Sequence, residues 1–229
     1  MRGALMQTHT ATVKRIVQAG KDITTIYFCV PEFTYAAGQY ITVFFPNTSH
    51  PEGKAYSLSS APHQTLQSIT VKRVGEFSGL LCRLRPGDTF TCSPAYGHFY
   101  TSADTSLVCF AGGVGIAPLW SVIKTVLRHD PQRTVTLAYS AATATAMPHR
   151  DSIVQLACQC PQFHVRQHIT RQTIRIQGAL AQRICPSDYI QDGARYLLCG
   201  SVTFVRDMWR ELTDCGVAPE HISTEVFFE

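Results

Sequence analysis

The sequence predicts two domains, an antiparallel Greek-key β-barrel followed by an α/β domain built on a parallel sheet. Three observations carry this. Up to about Thr101 the chain is a series of short strand-like runs broken by turn residues. After about Asp104 strands alternate with helical stretches, and the first strand of that half runs straight into a glycine turn and a helix. The domains are expected over 1–103 and 104–229.

In the first half, Val13 to Val17, Ile23 to Val30, Tyr40 to Phe45, Ile69 to Val74 and Thr89 to Cys92 read as strands. Gly20-Lys21-Asp22, Pro46-Asn47 and Pro86-Gly87-Asp88 supply the turns between them. Spacing of this kind argues a barrel, interrupted by one short helix over Ser78 to Leu84. In the second half, Leu107 to Ala111, Val135 to Tyr139, Phe163 to Ile169 and Tyr196 to Cys199 are nearly continuous apolar runs of the kind buried on both faces. Helices are expected over Pro118 to Leu127, Arg150 to Ala157 and Phe204 to Cys215, the last ending at Gly216.

Composition narrows the function classes. A chain of 229 residues with 45% hydrophobic and 16% charged residues buries a real core. The net charge of +4 comes without a Lys/Arg run, so nucleic acid is not expected as a partner. Nine cysteines in no regular framework, an odd number, point to free thiols in a reducing cytoplasm. Cys158 and Cys160 lack the second ligand pair of a zinc site, and His221 with Glu225 lacks a third ligand, so no metal is expected. No leader is expected, because residues 1–22 lack an apolar core segment. The uncharged stretch from Thr105 to Ile123 holds Gly112, Gly113, Gly115 and Pro118, which suits strand, turn and helix better than a membrane span.

Two motifs carry chemistry. Lys54-Ala55-Tyr56-Ser57-Leu58-Ser59-Ser60 sets a cation, an aromatic ring and hydroxyls in a row, groups that suit the phosphate, ring system and ring nitrogen of a flavin. By itself it is equally an edge strand running into a turn. Gly112-Gly113-Val114-Gly115 follows a strand and precedes a helix with Pro118 in its first turn, where bare backbone and the helix dipole favour a pyrophosphate. It is not the G-x-G-x-x-G fingerprint, and alone it is also plain loop chemistry.

The order of the motifs resembles that of the ferredoxin-NADP reductase superfamily over nearly the whole chain. Ala37-Gly38-Gln39-Tyr40 is similar to its AGQY segment, Tyr56-Ser57-Leu58-Ser59-Ser60 to its R-x-Y-S-x-x-S strand, and Gly75-Glu76-Phe77-Ser78 to its G-x-x-S helix start. Pro94 to Phe99 resembles the exit from the barrel, and Ala111 to Pro118 the nucleotide-domain turn. Tyr139-Ser140-Ala141 and Arg150-Asp151 match the next strand and helix start, Cys199-Gly200 the site beside the nicotinamide, and Glu225 with Phe227 the terminal E-x-F.

The resemblance implies roles. Tyr56 lies against the isoalloxazine of FAD and Ser57 hydrogen-bonds near its N5, while Lys54, Lys72, Gly75 and Ser78 contact the flavin side and its pyrophosphate. Gly112, Gly113, Gly115 and Pro118 receive the nucleotide, Thr170 and Arg171 its 2′-phosphate. Cys199 and Glu225 flank the nicotinamide and join Ser57 as the catalytic set.

Two departures stand out. Lys54 occupies the place of the usual Arg and offers a point charge rather than a bidentate fork, which leaves FMN as an alternative to FAD. Ala142 stands where many relatives carry Arg, so the choice between NADPH and NADH rests on Thr170-Arg171, with Arg175 as a helper. The activity implied is hydride transfer from NAD(P)H to FAD and onward delivery of electrons to a protein acceptor: a ferredoxin, a flavodoxin or an iron-sulfur oxygenase component. A reductase releasing free reduced flavin, or a non-catalytic subunit of a larger complex, is the alternative.

Overall fold

The computed structural model describes residues 8–45, 48–100, 105–170 and 184–227. The expected domain boundary between 103 and 104, the Pro46-Asn47 turn, Arg171 and Arg175 lie outside the described residues.

Six strands form the first sheet: β1 (His9–Ala19), β2 (Ile23–Cys29), β3 (Tyr40–Phe44), β4 (Lys54–Ser57), β5 (Gln67–Lys72) and β6 (Thr89–Cys92). They pair antiparallel in the order β4-β3-β6-β1-β2-β5. Closure comes from the residues just after β4, where Leu58 bridges Ile69 of β5 and Ser59 N donates to Ser68 O at 2.7 Å. The sheet therefore curls into a barrel with no open edge there. Its interior alternates inward residues such as Ala11, Val13, Ile26, Phe28, Ile41, Val43, Ile69 and Val71, all at 1% exposure or less. Helix α1 (Glu76–Arg83) lays Phe77 and Leu81 on that core.

The second sheet is wholly parallel, in the order β11-β10-β7-β8-β9: β7 (Leu107–Gly112), β8 (Val135–Ala141), β9 (Phe163–Ile169), β10 (Arg195–Ser201) and β11 (Ile222–Phe227). Helices α2 (Ile116–His129) and α3 (Arg150–Gln159) pack on one face and α4 (Val202–Asp214) on the other. Strand order reverses beside β7, so the turns after β7 and β10 open side by side. Ligands of open α/β sheets bind at such a switch point. Ala37 and Phe99 of the first half belong to the same apolar cluster as α2, which fastens the barrel to the second sheet. Among the described residues no helix is long and apolar enough to cross a membrane.

The expected strands coincide with observed ones, and β6 and β9 match residue for residue. Helix α1 starts two residues before the expected Ser78, because Gly75 is its N-cap and Ser78 its third residue. Strand β11 was not among the expected elements. Its Ile-Ser-Thr-Glu-Val-Phe is only partly buried at the sheet edge, so no continuous apolar run marks it.

Candidate active site at the domain junction

Strand β4 alternates sides, with Lys54 and Tyr56 on one and Ala55 and Ser57 on the other. Lys54 and Tyr56 face α1: the Tyr56 ring lies nearly parallel to Phe77, at 16° and 6.4 Å between centroids, and the Lys54 ammonium is 5.9 Å from the same ring. Burial raises the Tyr56 phenol well above its ordinary range, so it stays neutral.

The start of α1 offers backbone rather than side chains. Ser78 Oγ accepts from the Val74 and Gly75 amides at 3.0 and 3.1 Å and donates to Gly75 O at 3.2 Å, so its hydroxyl is engaged in shaping the turn. A Cβ at Gly75 would meet nothing within 4 Å. The turn thus presents bare backbone at a helix N-terminus, where amide groups without intrahelical partners favour an anion. Lys72 ends β5 three residues before Gly75 and is exposed. Glu76, in the first turn of α1, accepts a hydrogen bond from Ser49 at 3.0 Å and brings a negative charge to the same place.

Across the junction the second domain supplies the partner groups. The Ser57 hydroxyl donates to the Glu225 carboxylate. Glu225 stands opposite Cys199 in the β10–β11 register, and Cys199 is fully buried. Burial raises the Glu225 carboxyl above its ordinary value, and the Ser57 hydrogen bond opposes that in part. Burial first, then the neighbouring Glu225 charge, pushes the Cys199 thiol far up, so Cys199 is a neutral, polarizable wall and not a thiolate.

The glycine turn is pressed against this pair. A Cβ on Gly115 would fall 2.3 Å from Cys199 O, so only glycine lets the turn approach. Gly113 adopts φ +55° with open space above its Cα, and the Tyr139 hydroxyl donates to its carbonyl at 3.1 Å. Pro118 is buried in the first turn of α2. The sequence reading missed Phe204, which opens α4 as a half-buried ring. Cβ atoms at Gly112 and Gly200 would meet it at 3.0 and 2.8 Å, so both glycines make room for one ring under the paired turns.

The expected residues fall into three groups. Ser57, Cys199 and Glu225 converge at the junction. Lys54, Tyr56, Lys72, Gly75 and Ser78 gather around α1, and Gly112, Gly113, Gly115 and Pro118 at the switch point. Thr170 follows β9 in a turn, exposed, its amide donating to Ala141 O at 3.0 Å, and is not part of the Ser57 cluster. Ala37, Gly38, Gln39 and Pro94 to Phe99 are structural: Gln39 Nε2 donates to Gly97 O at 3.2 Å, and Gly38 takes φ +84° beside Val122 of α2.

Known proteins share this fold. The family model for an oxidoreductase NAD-binding domain matches residues 109–210. A flavohemoprotein from Bordetella pertussis is 31% identical over 243 residues, 94% of this chain and 59% of the relative; one from Dictyostelium discoideum is 28% identical, with 98% and 62% covered. The chain thus spans about six tenths of the length of these curated relatives. The FAD/NAD-binding domain of nitric oxide dioxygenase from Vibrio cholerae superposes with a TM-score of 0.81 at 22% identity, covering 96% of this chain and 98% of that one. A ferredoxin-NADP+ reductase from Neisseria gonorrhoeae, solved with FAD and NADP, gives 0.79 at 21%, covering 98% and 100%. The closed barrel, the switch point and the motifs in their expected order give the chain the two-domain fold of these reductases, and residues 109–210 match the oxidoreductase NAD-binding domain.

Proposed function

We propose that the chain is an NAD(P)H-dependent flavin oxidoreductase in which residues 1–103 hold FAD, residues 104–229 receive the nicotinamide nucleotide, and electrons leave to a protein acceptor such as a ferredoxin, a flavodoxin or an iron-sulfur oxygenase component. The observation that carries this reading is the Ser57–Glu225 hydrogen bond beside Cys199, which sets a hydroxyl, a carboxyl and a polarizable thiol where the two domains meet.

The residues fit the group. Lys54 and the bare start of α1 suit a diphosphate, Tyr56 offers a ring face, and the open backbone at Gly113 suits the diphosphate of a second nucleotide. FAD supplies the capacity to take a hydride from a nicotinamide and pass electrons onward. The chain's own part is positioning and proton handling. Ser57 presents a hydroxyl whose proton lies on a line to Glu225, and the raised Glu225 carboxyl holds a proton at higher pH than an ordinary one. Cys199, neutral and buried, gives the nicotinamide a wall without competing charge. All nine cysteines are free, in keeping with the cytoplasm as the place of action.

One observation favours the second reading, a reductase that releases its flavin. Lys54 is exposed and Glu76 puts a carboxylate in the first turn of α1, a combination that weakens the hold on a diphosphate. Purified chain given FAD or FMN, then NADH or NADPH without oxygen, decides both points. Flavin that stays bound through gel filtration and bleaches with nucleotide supports the protein-acceptor reading. Flavin that bleaches but elutes free supports the second, and no bleaching with either nucleotide ends the enzymatic reading.

A further inference from the structure

The two domains are joined by a polar seam that the reading above does not use. Ser59 and Ser60, just beyond Ser57, are buried, and α2 reaches across to hold their backbone. Ser121 Oγ donates to Ser60 O at 2.5 Å, and Lys124 Nζ donates to Ser59 O at 3.0 Å and to Gln64 Oε1 at 2.5 Å. Ser121 and Lys124 are three apart on α2 and share its face. Behind them, Ser59 Oγ meets Ser68 Oγ at 2.8 Å and Thr70 Oγ1 at 3.3 Å, and Thr70 bonds His149 Nε2 at 2.8 Å. His149 sits at φ +62°, a strained angle for a residue with a side chain, with its ring 6.2 Å from that of Trp120.

We propose that Lys124 is a positioning residue: its ammonium ties the backbone two residues beyond Ser57 to the helix that opens on the glycine turn, and so sets how Ser57 meets Glu225. The inference rests on the functional reading above. The contacts form a closed circuit. Lys124 belongs to α2, α2 begins at the turn whose Gly115 lies against Cys199 O, Cys199 pairs in register with Glu225, and Glu225 accepts from Ser57. Slack at Lys124 is therefore felt at Ser57, and misplacement of a reacting group by about 1 Å lowers a rate steeply.

A half-buried ammonium between neutral acceptors costs stability, because desolvation penalises its charge. The titratable groups that feel its charge are His149 at the start of α3 and His63 on the loop after β4, neither of them an acid. Burial accordingly pulls Lys124 down to about 7, and burial with the Lys124 charge pulls His149 down to about 3, so the imidazole stays neutral. Below about 7 the latch is a charge-assisted bond, and above it a weaker one from a neutral amine. Between there and the ordinary lysine value of 10.5 the unfolded chain binds the extra proton, so the fold gains stability as pH rises across that window. Removing the charge thus stabilises the fold most below pH 7.

The test uses the full chain loaded with FAD and the variants Lys124→Met and Ser121→Ala. Lys124→Met is expected to bind FAD as the parent does and to melt higher below pH 7. It should reduce flavin about ten-fold more slowly there, and lose the fall in rate that the parent shows as pH passes 7. Ser121→Ala keeps that fall. An unchanged rate and profile in Lys124→Met, a rate loss that tracks a lower melting temperature, or loss of the pH response in Ser121→Ala overturns the proposal. Emission from Trp120, whose ring lies 5.2 Å from the Lys124 ammonium, is read in a Trp209→Phe background without any turnover. If nucleotide fails to reduce flavin in the parent, the functional reading falls and this titration decides Lys124 alone. An inflection near 7 that Lys124→Met abolishes supports the latch, and a flat emission overturns it.

Discussion

Ser57 and Glu225, 168 positions apart in the chain, are joined by a hydroxyl-to-carboxylate hydrogen bond that crosses from the barrel to the parallel sheet. The bond ties the Glu225 titration to the junction of the two domains. Folding raises the Glu225 carboxyl, so its contribution to stability is complete below the ordinary value of 4.5 and is withdrawn as pH rises through the folded value. Glu225→Gln should remove that decline, and Ser57→Ala, which takes away the bond favouring the charged form, should move it to higher pH. Urea midpoints measured from pH 4.5 upward check the order. In flavin reduction Ser57→Ala is expected to slow the hydride step by roughly ten- to a hundred-fold with flavin retained. A variant that matches the parent takes Ser57 out of the mechanism.

Thiol chemistry should separate the nine cysteines by place. Cys158, Cys185 and Cys215 are exposed, whereas Cys109 and Cys199 are fully buried and both are pushed far above the ordinary thiol value. Alkylation needs the thiolate and access to it. Native protein treated with iodoacetamide is expected to label the first three quickly and the last two only on unfolding, as mass spectrometry of the digested chain would show. Labelling of Cys199 as fast as Cys158 would mean that the wall beside Glu225 is open.

The glycine turn gives a paired stability test. Gly115→Ala forces a Cβ to 2.3 Å from Cys199 O, a backbone atom that cannot swing aside, and should cost about 2–4 kcal/mol with a wider gap between α2 and β10. Gly75→Ala enters open space at an extended φ of −170° and should cost only a few tenths of a kcal/mol as a poorer cap. Denaturant unfolding of the two variants measures the contrast. Similar losses would show that the close approach of turn and strand is not what fixes glycine at 115.

The strands were legible because their chemistry is local. Phe163 to Ile169 and Thr89 to Cys92 carry strand-forming residues between clear turns, and the structure returns the same limits. The helix over α1 was placed two residues late because Ser78 reads as a cap, whereas its hydroxyl folds back on the Val74 and Gly75 amides from the third position. Strand β11 depends on non-local pairing with β10, which no window of sequence contains. At the site, Ser57, Cys199 and Glu225 could be named from motif order, but their meeting rests on the docking of the domains. Ser121 and Lys124 left a fainter trace. They stand, with Thr125, in the otherwise apolar run from Ile116 to Leu127, and their spacing of three marks a face that meets something other than the sheet.

Nucleotide preference gives the last test. Thr170 follows β9, exposed, its amide bonded to Ala141 at the end of β8, and Arg171 follows it in the chain. A guanidinium matches a phosphate dianion through two charge-assisted hydrogen bonds, worth about 1.5–3 kcal/mol each to a charged group. Arg171→Ala should therefore raise the KM for NADPH by roughly ten- to a hundred-fold while leaving that for NADH nearly unchanged. The hydride step at saturation should be equal in parent and variant, because the 2′-phosphate is remote from the reacting carbon. Steady-state kinetics with both nucleotides check this, and equal changes for the two would show that Arg171 does not read the phosphate.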